Sequence, residues 1–302
     1  MVGRRPGVWL LAIRPRTLPA AVAPVVVGTA LAGAHGVARP LPAFAALMGA
    51  LLIQVATNLA NDYFDFVRGA DNEERLGPVR VTQAGLLSPQ AVRAGTAVTL
   101  AAAFLVGIYL VAVGGWPIVV IGLAALLCAV IYTGGPFPLA YHGLGDVFVF
   151  AFFGPVAVGG TYWVQAGVWS WEFVTAGAAM GFLITAILVV NNLRDREGDA
   201  RVGKRTLAVR LGVRGTRGQY VGLLVASAVV APLGILLHDW SAWTLLSLVA
   251  FRFALPPLER VMTFADPREL NPALGETARL VTWYAGLLAV GLVLGGGVPW
   301  TR

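Results

Sequence analysis

The sequence predicts an all-α integral membrane protein, a single bundle of nine transmembrane helices with its N-terminus in the cytoplasm. Composition, hydrophobic spacing and charge placement predict it. Of the 302 residues, 58% are hydrophobic and 12% charged, where a soluble domain carries ~25% charge, and the mean hydropathy is +0.76. Apolar runs of about 20 residues, the length that crosses a hydrocarbon core ~30 Å thick, recur along the whole chain. Almost all the charge collects in alternate loops.

The runs fall near 18–36, 41–66, 91–113, 117–135, 144–167, 171–194, 219–238, 241–258 and 279–298. The start, MVGRRPGVWLLAIRPRTLPAAVAPVVVGTALAGA, has the basic front and small-residue end of a signal peptide. It is read as a retained first helix, because the charge distribution needs it. With nine crossings, one side receives Arg4, Arg5, Arg14 and Arg16, then Arg68, Arg75, Arg80 and Arg93. The same side receives the basic stretch from Arg194 to Arg217 and the group Arg252, Arg260, Arg268 and Arg279. Of 22 basic residues only Arg39 and Arg302 are left opposite, which makes the basic side cytoplasmic. Trp116, Trp163, Trp169, Trp171, Trp240, Trp243 and Trp300 fall at the other boundary, as an outer aromatic belt would. The lone cysteine, Cys128, excludes an intrachain disulfide. The surroundings expected are the lipid bilayer of the cell's inner membrane, and no nucleic-acid partner is expected.

Of the 15 acidic residues, all but Glu172 and Asp239 also fall on the cytoplasmic side. Orienting a membrane protein needs no carboxylates there, so this face is built to hold something of mixed charge. Two stretches concentrate it. In NDYFDFVRGAD, helical spacing puts Asn58, Asn61, Asp62 and Asp65 on one face. Gly69 then ends the helix, so that Asp71 swings back from the loop. In NNLRDREGDARVGKRT, Asn191, Asp195 and Asp199 form an i, i+4, i+8 stripe, with Asn192 three residues before Asp195. Both motifs leave an apolar run and are followed by glycine and basic residues, GPVR and GKR. The likeness hints at a duplication within a single 1–302 domain, about 41–167 against 171–298.

Clustered carboxylates without His or Cys suit a hard cation such as Mg2+ or Ca2+. Mg2+ prefers a few carboxylates together with phosphate oxygens, and neighbouring Arg and Lys can take the other phosphate oxygens. Two such clusters facing each other would clamp a diphosphate through bridging metals. The plain alternative is that the acids only pair with arginines at helix ends.

These residues resemble those of the UbiA superfamily of intramembrane prenyltransferases. That family carries one Asp-rich motif after its second helix and another after its sixth, in a nine-helix bundle. Its general first motif, Asn-Asp-x-x-Asp-x-x-x-Asp, is kept here at Asn61, Asp62 and Asp65, but Gly69 stands at the fourth position and the acid comes at Asp71. This is similar to the pattern NDYxDxxxGxD of the branch acting on 1,4-dihydroxy-2-naphthoate in menaquinone and phylloquinone synthesis. RPRTLPA (14–20), RLGPVRVTQAGLLSP (75–89), YTGGPFPLAYHGLGD (132–146) and NNLRDREGDARVGKRTLAVRLG (191–212) resemble the same branch.

The resemblance implies transfer of a polyprenyl group from polyprenyl diphosphate to 1,4-dihydroxy-2-naphthoate, with loss of CO2 and diphosphate, giving a demethylmenaquinol. It implies Mg2+, two ions bridging the diphosphate, held by Asp62, Asp65, Asp195 and Asp199, with Asp71 a fifth candidate and Asn61 and Asn192 in support. Arg75, Arg80, Lys204 and Arg205 would neutralise the diphosphate. For the aromatic acceptor the candidates are Arg14 and Arg16, against plain membrane anchoring, and Tyr132, Tyr141, His142 and Asp146, against a polar turn. A different acceptor (4-hydroxybenzoate, homogentisate) or a phytyl donor stays open, as does a membrane transporter. A transporter, however, would place ionisable groups near mid-membrane, where this chain has almost none.

Overall fold

The computed structural model describes residues 6–71 and 76–296, so Arg4, Arg5, Arg75, Trp300 and Arg302 lie outside the described residues. Among the described residues there are helices and turns and no strand. In order they are α1 (Pro6–Ile13), a 3-10 turn (Pro15–Thr17), α2 (Pro19–Ala34), α3 (Pro40–Val67), α4 (Pro89–Gly114) and α5 (Trp116–Ile131). Then follow α6 (Gly145–Ala151), a π-helical turn (Phe152–Val156), α7 (Ala157–Ala166), α8 (Glu172–Arg201) and α9 (Leu207–His238). A long 3-10 helix (Ala242–Phe253), α10 (Leu255–Thr263) and α11 (Leu270–Leu294) complete the described chain. Prolines open α2, α3 and α4, where a missing N–H costs nothing. Ser88 caps α4 by accepting from the Ala91 amide, and Thr206 caps α9 by accepting from that of Val209.

Six of the apolar runs read from the sequence fall on single helices; that at 144–167 spreads over α6, the π turn and α7, that at 241–258 over the long 3-10 helix and α10, and that at 279–298 follows α11 to the end of the described residues. Pro40–Val67, Pro89–Gly114, Gly145–Ala166, Glu172–Arg201, Leu207–His238 and Pro267–Leu294 are long and apolar enough to cross a membrane. The segments Gly7–Thr17 and Pro19–Ala34 are bent by 51° at their break and together qualify as a broken seventh, while Trp116–Ile131 and Ala242–Phe253 are apolar but shorter. The chain is therefore a multi-pass membrane protein. The run at 219–238 is the distal part of a longer helix, whose basic start is separated from it by a kink at Gly212 (φ 65°).

The core forms around α8, whose Ala176, Met180, Leu183, Ala186 and Val190 are fully buried among α2, α9 and α11. Opposite its middle, Pro155 and the non-helical Gly154 break the α6–α7 segment into the π turn. The break brings backbone against backbone: a Cβ on Gly177 would sit 2.7 Å from the nitrogen of Pro155, and one on Gly181 2.7 Å from the Phe150 carbonyl. Gly177→Val is therefore expected to destabilise the bundle by ~1–3 kcal/mol or more through overpacking. A drop in the thermal unfolding midpoint of the detergent-solubilised protein checks this, and an unchanged midpoint contradicts it.

At the far end of the bundle a polar cluster replaces part of the predicted aromatic belt. Trp116, Trp169, Trp171 and Trp243 are exposed as expected, but Trp240 is buried. Its indole Nε1 donates to Glu172 at 2.7 Å, and the same carboxylate meets His35 Nε2 at 3.1 Å. Gly234 makes the room, since a Cβ there would lie 1.9 Å from the indole.

Candidate active site

The two acidic motifs sit where α3 and α8 end at the same mouth of the bundle. Helix α3 stops at Val67, Gly69 turns the chain at φ 71°, and the amides of Ala70 and Asp71 fold back onto the Asp65 carbonyl. That turn returns Asp71, 4% exposed, to the site, as the sequence predicted. Helix α8 ends with Arg201, and Gly203 (φ 74°) turns Lys204 back so that its amide reaches the Asp199 carbonyl. Both turns need glycine, because an L side chain is strained at these angles.

Four of the carboxylates, Asp65, Asp71, Asp195 and Asp199, have a cationic partner. Arg80 reaches Asp65 Oδ2 at 3.4 Å and Asp71 Oδ2 at 3.1 Å, and is itself buried. Lys204 Nζ lies 3.3 Å from Asp199. Asp195 receives a fork from the fully buried Arg194, at 2.8 and 2.6 Å. The two motifs are joined through Tyr141, whose hydroxyl donates to Asp65 at 3.2 Å while Lys204 stands 5.5 Å over its ring. Burial disfavours the Lys204 ammonium, but the charges of Asp65 and Asp199 outweigh it and hold the group well above its usual range. Burial and Asp65 likewise push the Tyr141 phenol well up, so it stays a donor.

Beneath this mouth opens a cavity of about 1170 Å3. Its polar end is lined by Asn61, Asp65, Arg80, Asn191, Asn192 and Lys204; Phe104, Ile108, Leu126, Phe152 and Val164 belong to its apolar walls. Along α3 the lining runs from Asp65 to Ala46, ~28 Å at 1.5 Å per residue. The cavity thus offers an anionic head site above a long greasy channel.

The structure distributes the predicted residues unevenly. Asp65, Asn61, Asn192, Arg80, Lys204, Arg14, Arg16, Tyr132 and Asp146 line the cavity. Asp62, Asp71, Asp195, Asp199 and Tyr141 do not line it; the Asp62 carboxylate accepts from the amides of Val81 and Thr82, at 3.2 and 3.0 Å, and pins the turn that carries Arg80. Arg205 stays outside the lining and supplies its amide to the Tyr141 carbonyl. His142 is turned away, its ring stacked on Phe137 at 3.6 Å and its Nδ1 at the Pro138 carbonyl. Arg75 lies outside the described residues.

Arg14 adopts a left-handed conformation (φ 56°) in the bend between α1 and α2, a strain of order 1–3 kcal/mol that is tolerated where neighbours enforce it. Here they do. Asn58 donates to the Ile13 carbonyl and to Thr17 Oγ1, both at 2.8 Å, and Thr17 donates to the Arg14 carbonyl. Sequence reasoning missed Arg194, Asn271 and Gln219. Asn271 on α11 accepts from Arg194 and donates to the Leu76 carbonyl, tying the second motif to the loop after the first. No spacing signal marks it; Gln219 at least shows as a lone amide at the start of an apolar run.

Magnesium is a fair test of the donors. They are oxygens only, which suits a hard cation, and Asp199 Oδ2 is buried without a hydrogen-bond partner. Yet among the described residues no three His, Cys, Asp or Glu side chains converge on one point. The residues fit a cation that takes its remaining oxygens from asparagine, water and a phosphate, rather than a cage of protein ligands.

An all-helical membrane fold with an oxygen-rich, cation-lined head site above an apolar channel defines a class of protein that receives an amphiphilic anion. The UbiA prenyltransferase family matches residues 21–273, and the chain belongs to that family. It is 38% identical to the 1,4-dihydroxy-2-naphthoate octaprenyltransferase of Escherichia coli (strain K12), over 90% of each chain. To the 1,4-dihydroxy-2-naphthoate octaprenyltransferase of Mycobacterium tuberculosis it is 40% identical, over 94% of this chain and 97% of that one. Among solved structures, a UbiA homologue from Archaeoglobus fulgidus bound to DMAPP and Mg2+ superposes with a TM-score of 0.66 at 14% identity, over 93% of this chain and 99% of that one. That likeness establishes the fold.

Proposed function

We propose that the protein transfers a polyprenyl group from its diphosphate to 1,4-dihydroxy-2-naphthoate, releasing CO2 and diphosphate and forming a demethylmenaquinol. The observation that carries the reading is the pairing of the two acid–cation clusters with one long apolar cavity: the head of a prenyl diphosphate meets the first, its chain the second. Relatives named for this reaction, at 38% and 40% identity over nine-tenths of the chain, support the acceptor. Membership of an enzyme family removes the transport reading.

Arg80 and Lys204 turn from their carboxylates to the phosphate oxygens, where a buried cation acts with little screening. Asp65, Asp71, Asp195 and Asp199, with Asn61 and Asn192, would hold Mg2+, two ions in our reading; the presence of Mg2+ beside DMAPP in the Archaeoglobus structure supports the choice of metal. When bound, Mg2+ neutralises charge developing on the leaving diphosphate. Asp62 supports the set from behind, through the turn at Val81. The apolar walls exclude water from the allylic cation. Arg14 and Arg16, in the strained bend, face the acceptor carboxylate. We read the chain as one domain crossing the inner membrane nine times, its head site and N-terminus on the cytoplasmic side, because the basic loops cluster there.

An acceptor competition tests this. With labelled geranylgeranyl diphosphate, Mg2+ and equal 1,4-dihydroxy-2-naphthoate and 4-hydroxybenzoate, the expected lipid product is the prenylated naphthol, with CO2 released and the reaction stopped by chelator. A prenylated hydroxybenzoate instead overturns the acceptor and keeps the class.

A further inference from the structure

Two acidic side chains line the cavity, Asp65 and Asp146, and the mechanism above uses only the first. Asp146 begins α6, is 6% exposed, and makes no ion pair among the described residues. An ionised carboxylate in such a place is costly. One partner holds it: Gln219 Nε2, from α9, donates to Asp146 Oδ1 at 2.9 Å. Among the described residues no other side chain bonds to the carboxylate, so that beyond its own backbone amide it has capacity left for a ligand.

The surroundings place this carboxylate beside the reaction. Tyr132 lines the same wall, and its hydroxyl packs over the start of α6, where a Cβ on Gly145 would come within 2.9 Å of it. Tyr132 is also close enough to feel the charges of Lys204, Asp146, Asp65 and Asp199. Asp146 therefore sits one phenol away from the diphosphate clamp. Besides Asp146, these charged groups face Tyr132 from α3, from α8 and from the turn that follows α8. Arg210, on α9, is occupied at the His142 carbonyl at 2.7 Å. His142, the other base the sequence offered, has its ring outside the cavity.

Resting on the acceptor proposed above, we propose that Asp146 is the proton-transfer residue for the aromatic hydroxyl and that Gln219 is its positioning residue. The hydroxyl proton next to the acceptor's carboxylate passes to Asp146. The oxygen's electron pair drives the ring carbon bearing the carboxylate onto the allylic carbon, as the allylic C–O bond breaks and diphosphate leaves. The ring now carries a ketone beside a carbon that holds both carboxylate and prenyl group. The bond to the carboxylate breaks, CO2 departs, and its electron pair flows to the ketone oxygen. Asp146 then returns the proton to that oxygen, and the carboxyl side chain ends as it began.

The test uses the full-length enzyme with geranylgeranyl diphosphate, Mg2+ and two acceptors: 1,4-dihydroxy-2-naphthoate and a ring-chlorinated analogue whose hydroxyl ionises without help. Asp146→Asn keeps size and the Gln219 bond. It is expected to lower kcat about 100-fold or more with the ordinary acceptor, leave the donor KM within about threefold, and approach wild type with the acidic analogue. Gln219→Leu is expected to lose about tenfold in kcat and to recover on the same analogue. Near-normal kcat in Asp146→Asn, or an equal loss with both acceptors, overturns the assignment. A wild-type enzyme that prenylates another phenol and ignores the naphthol overturns the acceptor, and the same comparison run with that phenol and an acidified form of it still decides Asp146.

Discussion

Asp65→Asn is expected to lower kcat/KM for the prenyl diphosphate by about 1000-fold, the loss seen when a group stabilising transition-state charge is removed from a water-poor site. Asp65 takes Arg80 and the Tyr141 hydroxyl, and stands near enough to set the charge of Lys204. One substitution therefore weakens a cation ligand and loosens both phosphate-binding side chains. Asp62→Asn separates the two roles. Its carboxylate never faces the cavity, so its effect passes through the Val81–Thr82 turn. An amide can still accept one of those bonds, and leaving the other amide unpaired costs ~1–3 kcal/mol. Both substitutions should lower the thermal unfolding midpoint, since Asp65→Asn breaks a buried ion pair, but added Mg2+ should protect the wild type and Asp62→Asn and not Asp65→Asn. Full activity in Asp65→Asn would remove the clamp from the mechanism.

The second large effect is on chain length. Gly122 lines the channel on α5, ten residues and so ~15 Å below Tyr132, and a Cβ there meets nothing within 4 Å. Gly122→Phe therefore fills open channel rather than disturbing packed helices. With dimethylallyl diphosphate, too short to reach that depth, kcat/KM should stay within about threefold. With an octaprenyl donor it should fall about 100-fold or more, since each excluded methylene is worth ~1–3 kcal/mol. Equal rates for the two donors in the variant would show that the chain leaves the channel above Gly122, between the helices.

Much of this site could be read in the sequence for one reason: the chain carries few charges, so thirteen acids on one face stand out against the apolar background. Helical spacing then placed Asn61 and Asp65 together, and the glycine at 69 announced the turn that returns Asp71; the matching turn at Gly203 was not read. What stayed hidden comes from tertiary packing. Asn271 meets Arg194 across 77 residues and Gln219 meets Asp146 across 73, and neither pairing leaves a periodic trace. The contact of Asp62 with the Val81 and Thr82 amides was hidden as well, because its spacing cannot say which way a neighbouring loop folds. Trp240 read as belt because a tryptophan near a boundary gives no sign that Gly234 has cleared a berth for it. The channel depth is likewise a property of several helix faces at once.

Lys204 is the only lysine among 22 basic residues. Arginine elsewhere grips as a rigid fork, as Arg194 grips Asp195. A catalyst must also let go, because each cycle ends with a multiply charged diphosphate still in place. A compact ammonium on four flexible carbons can follow that anion outward and fall back to Asp199 without breaking two bonds at once. The single departure from arginine thus falls at the step where cycling speed depends on a loose grip, and Lys204→Arg should show it as an enzyme that binds its donor well and is slow to clear its product.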